Sequence, residues 1–148
     1  MEYTKEQIQQ LWKETVKRED ALEAEYRRIH GLTRSVPVST PEIAAEEAEQ
    51  NHWFNEYKKA YRRDEKEYEE YCRRMAAEMN AHEIKEALEE TQRLHVESVN
   101  RRAALVAAYK QTHYIPSRCR IITPEIIEEE EFDRRLTIKY FVLSKEYR

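Results

Sequence analysis

Hydrophobic positions near the start of the chain fall on one helical stripe. Ile8, Leu11, Trp12, Val16, Leu22, Tyr26 and Ile29 lie on or near a single face, with a gap at Glu19. Thr4 precedes this stripe and Gln7 follows three residues later. That spacing is a capping box, in which each side chain takes the other's backbone N–H. The predicted helix runs from about Lys5 to about His30. Arg27, Arg28 and His30 would complement the negative end of its dipole. Gly31 is the only glycine in the protein. It stands where a helix end calls for a left-handed residue.

Residues 32–40, with Pro37 and several β-branched side chains, predict an extended linker. Thr40 then caps the next helix, and Pro41 suits its first position because the missing N–H would be unpaired there anyway. From Pro41 to Tyr114 there is no glycine and no further proline. The pattern predicts one very long helix over residues 41–112. At about 1.5 Å per residue it would be on the order of 105 Å long. Asn80 is the weakest point, where a break would give two helices instead.

The apolar seam of this helix is aromatic and interrupted. Phe54, Tyr61, Tyr68, Met75 and His82 are spaced seven apart, and Tyr57 and Tyr71 share their face. Asp64 and Glu78 occupy matching positions, and the phase then shifts to Ile84, Leu88, Leu94, Leu105 and Tyr109. A steady coiled coil keeps its apolar a and d positions. A broken tyrosine stripe suits a helix packed on changing neighbours, because tyrosine buries a ring and keeps a polar tip. Phe54, Tyr57, Tyr61, Tyr68, Tyr71 and Met75 are therefore the expected protein interface. The first helix is under half as long and would cover only part of it.

Past the long helix, Pro116 predicts an extended connector over residues 113–123. Thr123 leads into the block 124–148, and Thr123-Pro124-Glu125-Ile126 is a second copy of the four residues that start the long helix at Thr40. A short helix is expected from Glu125 to about Arg135. Leu136, Ile138 and Tyr140 alternate with polar residues, so the last segment predicts a strand or extended tail that docks on a partner. The expected fold class is all-α, extended and non-globular.

Composition reinforces that expectation. Charged residues make up 38% of the chain, ten tyrosines inflate its 40% hydrophobic fraction, and mean hydropathy is −1.01. Large aliphatic side chains are scarce, which makes a core of ordinary size hard to build. No apolar run approaches the length of a membrane span. The first residues resemble neither a signal peptide nor a transit peptide. Cys72 and Cys119 are the only cysteines and lack a Cys-x-x-Cys spacing, so reduced thiols are expected.

Chemistry is hard to find. One glycine excludes a phosphate-cradling loop. His30, His52, His82, His95 and His113 form no metal-ligand pattern, and the glutamate runs match no calcium loop. Without a positioned acid, base or nucleophile, no enzyme, cofactor, metal or small-molecule substrate is expected.

Charge distribution is more informative than the net charge of −4. Ser98 to Pro124 contains no Asp or Glu. Arg101, Arg102, Lys110, Arg118 and Arg120 lie in it, with Tyr109, His113 and Tyr114. A basic, aromatic, acid-free stretch can neutralise phosphates and stack on bases, so these five cations are the candidate RNA contacts. Lys58, Lys59, Arg62, Arg63, Lys66, Arg73 and Arg74 are a second basic group. Acidic neighbours from Asp64 to Glu70 make intrahelical ion pairs the default there.

The order of features resembles the family of small-subunit protein 26 of the mitochondrial ribosome. The segment AAEEAEQNHWFNEYKKAYRR is similar to the early part of that family's long, charged helix. Ile122-Thr123-Pro124-Glu125-Ile126-Ile127 resembles its later helix start. The similarity covers about residues 42–127. It implies a structural, non-catalytic role in the mitochondrial matrix, along small-subunit rRNA and neighbouring ribosomal proteins. The alternative is an accessory helical subunit of a protein-only mitochondrial assembly, such as a respiratory complex or ATP synthase.

Overall fold

The computed structural model describes residues 2–115 and 120–147. Pro116, Arg118 and Cys119, each singled out by the sequence, lie outside the described residues. Four α-helices are present among the described residues: α1 (Lys5–His30), α2 (Pro41–Ala77), α3 (Ala81–Thr112) and α4 (Pro124–Glu146). None is long and apolar enough to cross a membrane. The chain divides into two compact units, one of residues 1–60 and 106–124, the other of residues 61–105 and 125–148. The expected extended, non-globular fold is therefore wrong.

In the first unit, Thr4 and Gln7 exchange hydrogen bonds of 2.8 and 3.1 Å at the start of α1, and Gly31 ends it at φ 63°. The linker is tied down as well. Arg27 donates to the carbonyls of Thr33 and Val36, at 3.3 and 2.9 Å. Thr40 caps α2 through a 3.2 Å bond from the Ile43 N–H. Ile8, Trp12 and Thr15 of α1 are buried with Ile43, Tyr57 and Ala60 of α2. Trp12 packs on Phe54 and Tyr57 with ring centroids 5.5 and 5.8 Å apart. Arg18 bridges from α1 to Glu46 and Glu49 on α2. Arg34 reaches the carbonyl of Lys110 at the end of α3, 2.8 Å away.

The predicted single helix over 41–112 is two. Glu78 and Met79 form a closing turn on the carbonyls of Met75 and Ala76. Asn80 then caps α3. Its Oδ1 accepts from the Glu83 N–H at 2.8 Å, and Glu83 returns a bond of 3.0 Å to the Asn80 N–H. Asparagine competes for backbone donors in this way, so it favours a cap over a helix interior. In the second unit, the end of α2 turns back as a hairpin onto α3. Cys72 and Ala76 bury against Ile84, with Val142 and Leu143 of α4.

The predicted short helix and extended tail form one helix. Ile126, Ile127, Leu136, Val142 and Leu143 are all buried. Leu136 and Leu143 are seven apart, and Ile126 and Ile127 precede them on the core side. This helical spacing outweighs the apparent alternation of Leu136, Ile138 and Tyr140. α3 and α4 run antiparallel, since Gln92 meets Tyr140, His95 meets Asp133 and Ser98 meets Glu129.

Candidate docking groove and basic stretch

In the second unit, α2, α3 and α4 leave an open cleft of about 240 Å³. Tyr68, Tyr71, Cys72, Met75 and Met79 come from α2 and the turn after it, and Lys139 from α4. The floor is apolar. Cys72 is a free, buried thiol, and Leu143 is buried beside it. The rim is exposed, with Tyr71 at 51% and Met75 at 40%. Burial, with Cys72 beside it, pushes the Tyr68 hydroxyl up to about 12.

The six predicted interface residues divide into three pairs. Phe54 and Tyr57 are taken by Trp12. Tyr61 and Tyr68 lie under the Arg135 guanidinium, 5.3 and 5.0 Å from its carbon. Tyr71 and Met75 remain open. Periodicity placed all six on one face, but it did not reveal which stretch α1 or α4 would cover.

The predicted RNA contacts do not form one free basic patch. Arg101 Nε lies 2.6 Å from Glu129 Oε1, and its guanidinium stands 5.6 Å over the Phe132 ring. The Arg101 guanidinium holds the Glu129 carboxyl below its ordinary range, and the Ser98 hydroxyl adds to this. Arg102 is half-buried and also lowers the Glu129 carboxyl. Lys110 and Arg120 are exposed. Arg118 lies outside the described residues. The stretch lacks acids in sequence, but α4 supplies Glu129 in space.

Two of the three aromatics of that stretch are engaged, while Tyr114 is 40% exposed. Tyr109 and His113 stack at 3.9 Å with parallel rings. His113 Nε2 is 3.0 Å from Asp20 of α1. Burial and then the carboxylates of Asp20, Glu19, Glu23 and Glu47 push the Tyr109 hydroxyl up to about 12. Each ring thus has one face covered by the other, and both side chains are half-buried.

In the sequence Glu19 is only a gap in the apolar stripe, and the carboxyl cluster it joins forms only in the fold. Glu19, Glu23 and Glu47 bring oxygens within 4.8 Å of one another, so these residues could offer ligands to a cation. Burial, followed by the charges of Glu23, Glu47 and Asp20, raises the Glu19 carboxyl to about 8. Gln50 Nε2 donates to Glu19, and Arg27 pairs with Glu23 at 3.4 Å. A proton on Glu19 relieves the remaining repulsion.

A second cleft of about 240 Å³ lies between α3 and α4, beside the His95–Asp133 pair. Its two threonine hydroxyls point back into their own helices. Thr91 donates to the Ala87 carbonyl at 2.6 Å and Thr137 to the Asp133 carbonyl at 3.0 Å. Neither is aligned with His95 as a nucleophile would be. Gln92 donates to the Tyr140 hydroxyl at 3.3 Å.

Comparison of the chain with protein-family models, with curated proteins and with solved structures finds no match.

Proposed function

We propose that this chain is a non-catalytic structural subunit of a larger assembly, which docks a protein partner on the open face of α2 in the second unit. The observation that carries this reading is the cleft whose rim leaves Tyr71 and Met75 exposed above a buried apolar floor. Large apolar side chains grouped around a concavity mark interaction sites more often than scattered ones do. Aromatic and methionine side chains are also the types enriched at interface cores.

The narrower reading places the assembly in the mitochondrial ribosomal small subunit, with rRNA among the partners. Its support is the resemblance over about residues 42–127, with the exposed Lys110 and the half-buried Arg102 as candidate phosphate contacts. Arg101 does not support it, because Glu129 already neutralises that side chain. A protein-only respiratory or ATP synthase assembly is the competing reading, favoured by a pI of about 5.8.

Sedimentation of the tagged protein from a mitochondrial lysate, with and without RNase, separates the two. The ribosomal reading expects co-migration with small-subunit rRNA that collapses on RNase treatment. An RNase-resistant complex contradicts it and favours the protein-only assembly. Migration as a free monomer contradicts both.

A further inference from the structure

Two cations stand one helical turn apart on α4, Arg135 and Lys139. Both belong to the second unit, and neither has a carboxylate partner among the described residues. Their neighbours behave differently: Arg134 pairs with Glu65 at 2.9 Å, and Arg101 pairs with Glu129. Arg135 lies over Tyr61 and Tyr68, and its Nη2 is buried without a hydrogen-bond partner. Lys139 is half-buried and lines the cleft that Tyr71 and Met75 rim.

A partly desolvated cation without a counter-charge is costly, so a carboxylate brought to it by a partner is favoured. The cleft around Lys139 is otherwise apolar and rich in sulfur. Met75 and Met79 are flexible and polarizable, and such side chains adapt to an incoming apolar face. Helix-in-groove recognition combines these features: an apolar row at i, i+3 or i+4 and i+7, with charges alongside that set direction.

We propose that this cleft seats an acidic amphipathic helix of a partner protein, with its apolar row against Tyr71, Met75 and Met79 and a carboxylate on Lys139. This rests on the docking reading given above. Among the described residues that line the cleft, Lys139 alone is charged.

The test uses the full chain with its methionine methyls labelled for NMR. Met75 and Met79 report the cleft, and Met1 is the only other methionine. The probe is a synthetic amphipathic peptide of about 18 residues, long enough to hold a helix, with leucine on one face and glutamate beside it. A second peptide carries lysine in place of glutamate. The acidic peptide is expected to shift the Met75 and Met79 methyls saturably, and the basic one to bind at least about tenfold more weakly. Lys139→Glu is expected to reverse that preference while leaving the circular dichroism spectrum unchanged. Equal binding of both peptides, or affinity unaltered by Lys139→Glu, overturns the proposal. So does a homodimer that Met75→Ala dissociates, since a second copy would then be the occupant.

The broader reading fails separately. If Tyr71→Ala with Met75→Ala releases the chain from its assembly while the acidic peptide leaves both methyls unmoved, docking stands and the acidic helix falls. If that variant stays in the assembly and the peptide is also ignored, both fall.

Discussion

The Arg101 guanidinium on α3 donates to the Glu129 carboxylate on α4 across 2.6 Å, and the same carboxylate accepts from the buried Ser98 hydroxyl at 3.0 Å. One acid thus holds two residues of a stretch that contains no acid of its own. Glu129→Ala leaves the Ser98 hydroxyl with a single carbonyl acceptor, the backbone of residue 129 at 3.3 Å. The expected loss is about 1 kcal/mol, the value of one hydrogen bond, measured by urea denaturation. Arg101→Ala should cost less, because its side chain is about half exposed.

The Glu129 pair also sets an acid limb. Its carboxyl is depressed in the folded state. The unfolded chain therefore binds this proton first as pH falls. The stabilisation is present above the ordinary carboxylate range and is lost as pH drops through the folded value. Glu129→Gln should flatten this part of the stability–pH curve. An unchanged curve would mean that the carboxylate does not hold α3 to α4.

Glu19 acts in the opposite direction. Its carboxyl rises from 4.5 to about 8 in the folded first unit, so the folded state holds a proton that the unfolded chain releases. Its contribution is fully present below pH 4.5 and is lost as pH rises through about 8. Glu19→Gln keeps a neutral side chain that can still accept from Gln50. The variant should have the higher Tm at pH 8 and differ little at pH 5, as measured by thermal melts at the two values.

Asn80 is the hinge between the expected rod and the observed hairpin. Asn80→Ala removes the Oδ1 that accepts from the Glu83 N–H. The expected cost is about 1 kcal/mol, typical of a lost N-cap. Chemical denaturation of the variant, followed at 222 nm, measures it.

Helix ends were legible in the sequence wherever local chemistry writes them. Thr4, Gln7 and Gly31 bound α1, and Thr40 with Pro41 opens α2. The turn at Asn80 was legible only as a weakness, because one asparagine and Glu83 do not outweigh helix formers on both sides until α2 and α3 pack. The end of α4 was misread because a short apolar run fits strand and helix spacing alike. Of the candidate site, periodicity gave Tyr71 and Met75. It could not give Lys139 or Glu129, since pairings between residues so far apart in sequence depend on which helices fold together.

α4 offers a sharp contrast between buried and exposed apolar residues. Leu143 is 3% exposed in the second core, whereas Phe141 is 62% exposed. Leu143→Ala should destabilise by about 2–4 kcal/mol, the range for a buried leucine. Phe141→Ser should stay within about 0.5 kcal/mol, as surface changes do. Equal effects, measured by urea denaturation, would fit an extended tail and contradict the helix.

The claim that the chain is a docking subunit is tested most directly by its co-sedimentation with native assemblies when Tyr71 and Met75 are both changed to alanine. Both side chains are exposed, so the fold should survive and circular dichroism should match the unaltered protein. The account predicts that the unaltered chain sediments with a large complex and that the double variant moves to the top of the gradient. A folded double variant that still sediments with the complex would contradict it.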